Sequence, residues 1–403
     1  MRVTNMVPDV QFAMQQSQQA LSTALQQVST GLRVNQLSDD PSASANMVTS
    51  LAASANVDGY TSNVTSILPQ MQTADSAISS IVTSLNSAIT LGGSGSGSAV
   101  SSADQKTLAT QVEGVLSSVI AQANTSYQGA YVFGGSASST PPFVAASTTY
   151  TSAAGSTAPP LTATLPLTPG SVTTISDAST GKTFTFTVTA GETISNLSAA
   201  VAGAAAAGTL SPGTTATINA TGQLAIGTNS SSDGIVVSSN DPALGAMTAT
   251  PGTSVPNAYA YVGNSAVNSV QVGQSMNVAT NIPGGQMLTS GPNVIGSLNT
   301  LITALNNGSS TQISAATAAI TTALNYVGQQ RVPLDNTIGQ LNSQESYLGQ
   351  EKLTLTSQQT SLVGINLAEA ATNLSQAELA HSAVLAAAAK VLPETLLNYL
   401  SPG

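Results

Sequence analysis

Few side chains in this sequence are equipped for chemistry, and their spacing does not assemble a reaction. His381 is the only histidine, and it stands beside Ser382. Adjacent positions on a helix do not face each other, so a nucleophile and base would need a third, orienting group from elsewhere. Cysteine is absent, which removes thiolate nucleophiles and, with one histidine, the nitrogen and sulfur ligand sets of zinc. Asp39 and Asp40 are paired carboxylates, but Pro41 follows them. Short oxygen-bearing side chains ahead of a proline are a helix start, because they accept from unpaired first-turn amides. Asp233-Gly234 and Asp241-Pro242 read as turns, since no carboxylate-rich loop of EF-hand spacing surrounds them. The glycines of Gly92 to Ser98, GGSGSGS, lack the Gly-Lys-Ser/Thr of a phosphate loop and read as a flexible connector. The expectation is a protein with no catalytic residue, no cofactor and no metal site.

Composition narrows the partners. Seven lysines and arginines against 17 acidic residues give a formal charge of −10. That disfavours nucleic acid and anionic membrane surfaces, which need clustered positive charge. Charged residues make up 6%, against roughly 25% in ordinary soluble proteins. The alanine-rich runs at 199–207 and 383–392 are too short to span a bilayer, which needs about 20 apolar residues. The amino-terminal MRVTNMVPDVQ has neither the apolar run nor the cleavage site of a secretory signal peptide, so export would need another route.

The elements that would position any partner surface are long helices at both ends. Met14, Leu21, Leu25, Val28 and Leu32 predict a first amphipathic helix, weakened or ended at Gly31. A second begins near Pro41 and runs to about Leu91. Val64, Ile67, Met71, Ala74, Ile78, Ile81, Leu85 and Ala88 recur in steps of three and four, the seam one helix presents to another. Gly59 weakens it, and Pro69 predicts a bend rather than a break. A third helix spans about 103–128, and GAYVFGG (129–135) predicts a strand or hairpin.

From Phe143 to Pro283 the alternation is that of strands, with Phe184, Phe186 and Val188 on one face and further runs at 216–218, 224–226 and 235–237. Thr193 to Ala207 reads as a short helix, and Tyr259 to Leu288 as hairpins leading back to helix. Val294, Leu298, Leu301 and Leu305 carry one helix to Asn307-Gly308. Ile313 to Val327 continue it, and Leu334, Ile338, Leu341, Leu348, Leu355 and Leu362 resume after a kink or restart at Pro333. An alanine-rich amphipathic helix closes the chain. The fold class is therefore α+β: a long antiparallel helical bundle or coiled coil formed by the two ends, with an inserted β-rich middle domain.

STGLRVNQLSDDPSASA (29–45) resembles the amino-terminal signature of the bacterial flagellin superfamily, and AEAATNLSQAELAHSAVLAAAAKVL (368–392) resembles its carboxyl-terminal helix. Within that superfamily, ANTSYQGAYVFGG followed by TPPF (123–143) and the ending LLNYL (396–400) are similar to the hook-associated proteins of the hook–filament junction more than to filament flagellins. GKTFTFTVTAGETISNLSAAV with GQLAIGTNSSSDGIVVSS resembles a hook-IN type insertion, at about 165–250. Val363-Gly364-Ile365-Asn366 departs from the acidic stretch usual in the family.

The resemblance implies an N-terminal axial helix over 1–40, the two halves of a helical domain at 41–142 and 286–364, a β-rich outer domain at 143–285, and a C-terminal axial helix over 365–403. It implies a structural component of the bacterial flagellum, exported by the flagellar type III apparatus and extracellular at the junction. The implied partners are a hook-associated protein on the hook side, flagellin on the filament side, copies of itself in a ring, and an export chaperone at the last helix. The assembly seams expected from the sequence are Met14, Leu21, Leu25, Val28, Leu32, Ile78, Ile81, Leu85, Leu374, Val384, Leu385, Val391, Leu392, Leu396, Leu397 and Leu400. A filament flagellin is the alternative within the superfamily; a coiled-coil-borne adhesin or hydrolase is the alternative outside it.

Overall fold

The computed structural model describes residues 6–36, 38–154, 160–229, 233–250 and 253–400, the side chains of 6–8, 254 and 391–400 excepted. In chain order the elements are α1 (Met6–Thr30), α2 (Pro41–Gly95), α3 (Ser102–Ala123), β1 (Ser126–Tyr127), β2 (Ala130–Tyr131), β3 (Phe143–Ser147), β4 (Thr149–Ser152), β5 (Val172–Asp177) and β6 (Thr183–Thr187). There follow α4 (Ile194–Ala206), β7 (Thr215–Ile218), β8 (Leu224–Gly227), β9 (Ile235–Ser239), β10 (Met247–Ala249), β11 (Ser254–Tyr261), β12 (Ser269–Gly273) and β13 (Met276–Ala279). The chain returns to helix in α5 (Gly284–Leu288), α6 (Val294–Asn307), α7 (Ser310–Val363) and α8 (Leu367–Leu400). It is an α+β protein whose long helices lie at the two ends of the sequence and whose strands lie between them. Two compact units result, Met1–Ser62 with Glu345–Gly403, and Asn63–Gln344.

The start of α2 is built as capping chemistry dictates. Asp40 Oδ1 accepts from the Ala43 amide at 2.9 Å and the Ser42 amide at 3.2 Å, satisfying donors that the first turn leaves open. Asp39 does something else: its Oδ2 accepts from the amides of Asn35 and Gln36 at 3.0 and 2.9 Å and closes the preceding turn. The helix then runs unbroken through Pro69, as α7 does through Pro333.

The flexible connector expected from Gly92 is corrected, because residues 92–95 complete α2. Gly92 and Gly95 are packing positions. A Cβ at Gly92 would collide with Thr317 and press on Leu301, and one at Gly95 would collide with Leu305. The third helix also ends earlier than its expected limit near Gln128. Asn124 caps it at Ala123 and exchanges two hydrogen bonds with the main chain of Phe143, at 2.8 and 2.9 Å, tying the helix end to the first core strand.

In the unit of Asn63–Gln344, every member of the α2 seam from Val64 to Ala88 is buried. So are Val112, Leu116 and Val119 of α3, Leu298, Leu301 and Leu305 of α6, and Ile313, Ile320 and Val327 of α7. Burial of each such large side chain stabilises by about 1.5–3 kcal/mol. Arg331 adds a two-pronged ion pair to Asp75, with contacts of 2.6 and 3.0 Å, and a longer one of 3.6 Å to Asp335.

The strands form two larger antiparallel sheets, ordered β11-β3-β9-β5-β6 and β10-β4-β8-β7, and two hairpins, β1-β2 and β12-β13. Ile175, Phe186, Val188, Leu197, Val201, Leu224, Ile226, Ile235 and Val237 share one core with Ile194 at the head of α4. At the end of β11, the Tyr261 hydroxyl is aimed at the carbonyls of Asn264 (2.8 Å) and Phe133 (3.1 Å). Its ring lies 5.2 Å from that of Phe143, and burial pushes the hydroxyl pKa up to about 12.

Candidate functional site

The surface that sets this chain apart lies in the unit of Met1–Ser62 and Glu345–Gly403. There α1 and α8 run antiparallel along each other, as shown by the bridge between Leu32 and Gly364 and by the contact of Ser17 with His381. The fully buried positions of the pair are small side chains, Ser17, Ala24, Ala370 and Ala388, at heptad-compatible intervals. The larger apolar side chains flank them. Met14, Leu21, Val28, Leu374 and Val384 are half-buried, while Leu25, Leu32 and Leu385 remain 49%, 37% and 45% exposed. The side chains of Val391, Leu392, Leu396, Leu397 and Leu400 lie outside the described residues. Ile78, Ile81 and Leu85 belong to the other unit and are fully covered by the chain itself.

Among the described residues, ten of the twelve exposed large hydrophobic side chains fall in this unit: Phe12, Leu25, Leu32, Val48, Leu51, Tyr347, Leu353, Leu367, Leu379 and Leu385. A monomer scatters such residues singly, whereas their concentration on one part of a molecule marks a surface made to be covered.

The sole histidine meets a serine after all, but across the helix pair rather than beside it. Ser17 Oγ lies 3.0 Å from His381 Nδ1 and 3.0 Å from the Met14 carbonyl. Which of Oγ and Nδ1 donates follows from the imidazole tautomer. The contact packs the helices.

At the base of the pair, two chain crossings are fastened together. Gly31 adopts φ +69° and ends α1, and the Arg33 amide donates to the Val363 carbonyl at 2.6 Å while the Ile365 amide donates to the Gly31 carbonyl at 3.1 Å. Arg33 Nη2 then donates to Asp40 Oδ2 at 3.1 Å and to the Leu362 carbonyl at 3.0 Å. One guanidinium thereby ties the end of α7 to the start of α2. Nothing in the apolar pattern points to Arg33; the sequence signal is Gly31, which ends α1 two residues before it. Hydrogen bonds from the Ala43 amide and from Ser42, with Arg33 alongside, hold the Asp40 carboxyl down to about 2.

Elsewhere the surface offers open clefts of about 690 and 1070 Å³. The first is walled by Asn257, Asn299, alanines and threonines, and the second by hydroxyls and Lys182, whose Nζ donates to the Gly208 carbonyl at 3.1 Å. Among the described residues no three metal-ligating side chains converge, and no helix is long and apolar enough to cross a membrane.

Comparison with known proteins adds three findings. Residues 5–138, about a third of the chain, match the family model of the bacterial flagellin N-terminal helical region. No curated protein matches the chain. Among solved structures, a putative flagellar hook-associated protein from Vibrio parahaemolyticus is similar at 14% identity and a TM-score of 0.49, over 81% of this chain and 100% of that one. FlgL of Bacillus cereus is similar at 13% identity and 0.43, over 78% and 100%. The flagellar junction protein FlgL from Legionella pneumophila is similar at 16% identity and 0.32, over 72% and 96%.

Proposed function

We propose that this chain is a structural component of the bacterial flagellum, acting at the junction of hook and filament by helix–helix assembly and catalysing no reaction. The observation that carries the proposal is the flagellin N-terminal helical region over residues 5–138, whose first helix pairs with the last helix of the chain and leaves apolar side chains uncovered. Leucines held at the surface of a helix pair are stabilised by about 1.5–3 kcal/mol each once a neighbour covers them. Met14, Leu21, Leu25, Val28, Leu32, Leu374, Val384 and Leu385 are assigned to that surface; the same role is proposed from the sequence for Val391, Leu392, Leu396, Leu397 and Leu400, whose side chains lie outside the described residues. Ile78, Ile81 and Leu85 serve the core of the other unit.

The neighbours are other axial proteins of the flagellum: copies of this chain in a ring, a hook-associated protein on one side and flagellin on the other. An export chaperone covers the C-terminal helix before assembly. The site of action is outside the cell, reached through the flagellar export apparatus. Removing Leu374 to Gly403 tests the reading. The truncated chain is expected to lose incorporation into flagella and chaperone binding while its β-strand circular dichroism persists; a truncated chain that still incorporates would contradict it.

A further inference from the structure

We propose that the free edge of β6 pairs antiparallel with the same edge of a second copy of this chain. The edge is identified by hydrogen-bond parity. On β5 the even-numbered residues bond β9, as shown by Asn240 N–H to Val172 O and Ala178 N–H to Gly234 O; the odd-numbered ones bond β6, as shown by Asp177 N–H to Lys182 O and Val188 N–H to Ser171 O. Phe184 and Phe186 therefore turn their main-chain groups toward β5, and Thr183, Thr185 and Thr187 turn theirs outward. β6 is the last strand of its sheet, and all three threonines are exposed.

Three features make the partner a second copy. First, Thr183-Phe-Thr-Phe-Thr187 reads the same in both directions, so an antiparallel pair centred on Thr185 sets Thr185 opposite Thr185, Thr183 opposite Thr187 and Phe184 opposite Phe186. Every cross-strand pair is then a favourable like pair, with no charge opposed to charge. Second, the usual protections of an edge are missing: β6 has no proline, no charged residue within it and no break in register with β5. Third, Phe184 is only half-buried against the core beneath it, and the partner's Phe186 would cover its open flank. The contact is isologous. Five residues bury far less than the roughly 1,200 Å² of a stable interface, so the pairing is weak and is best read by trapping it.

The chain's lack of cysteine makes the trap selective, and the proposal does not rest on the flagellar reading. In the full-length chain, Thr185→Cys sets two thiols on the symmetry axis with Cα atoms about 5.5 Å apart, within disulfide reach. Thr187→Cys sets them about 13 Å apart along the strands, out of reach. Under mild oxidation the Thr185→Cys variant is expected to form covalent dimers at least tenfold faster than the Thr187→Cys variant. Adding Thr187→Pro to the former removes an outward amide without touching the bonds to β5, and dimer formation is expected to fall at least tenfold with unchanged circular dichroism. Equal cross-linking at positions 185 and 187, or indifference to the proline, would overturn the proposal.

Discussion

Among the groups shifted by the fold, Tyr261 and Asp40 move farthest. The Tyr261 hydroxyl ionises near 12 instead of 10.0 because burial disfavours the phenolate. A protonated group favoured by the fold contributes stability that is complete below the unfolded value and lost as pH rises toward the folded one. Stability toward denaturant is therefore expected to fall between pH 10 and 12, and Tyr261→Phe should reduce that dependence while costing about 1 kcal/mol at neutral pH by leaving the Asn264 carbonyl short of a donor, the Phe133 carbonyl keeping the Gly284 amide. Asp40 behaves in the opposite sense. Its carboxyl is depressed from 3.8 to about 2, so its contribution is present above pH 4 and disappears as pH falls through 2. Because the Ala43 amide is the largest cause and Arg33 a lesser one, Arg33→Met is expected to raise the carboxyl midpoint measured by NMR only part of the way back. The charge of Asp39-Asp40 was legible from the proline after it. That only Asp40 caps the helix was not, since both carboxylates satisfy the same pattern and the preceding turn decides between them.

At the scale of elements, the two classes of apolar side chain separate cleanly. Ile81 and Leu85 are fully buried in their bundle, so Ile81→Asp or Leu85→Asp forces an unpaired charge into the core and is expected to cost several kcal/mol of stability. Leu25 and Leu385 are close to half exposed, and Leu25→Asp should cost monomer stability only about 1 kcal/mol while blocking assembly. Thermal denaturation beside an incorporation assay reads both. The α2 seam was visible in the sequence because large apolar residues recur against a polar background. On α1 and α8 the sequence points to Met14, Leu21, Val28, Leu374 and Val384 but not to the fully buried Ser17, Ala24, Ala370 and Ala388, which carry almost no hydrophobic contrast with their neighbours. Strands β6 to β9 announced themselves by alternation, whereas β3, β4, β10 and β11 are diluted by alanine, serine and threonine that fit either face. Glycines at 92–95 misled for a physical reason: the same missing side chain that frees a linker also admits a neighbouring helix.

For the whole molecule, the segments farthest apart in sequence are the ones that meet. The helices α1 and α8 pair with small residues fully buried, while Met14, Leu21, Val28, Leu374 and Val384 are half-buried and Phe12, Leu25, Leu379 and Leu385 are exposed, which gives the pair both a fold of its own and a surface for neighbours. The role proposed for this surface confines it to one place, the boundary between hook and filament. The test locates labelled full-length protein on isolated flagella by electron microscopy. A single narrow band where filament meets hook is expected; label distributed along the filament, or none on the flagellum, would contradict the proposal.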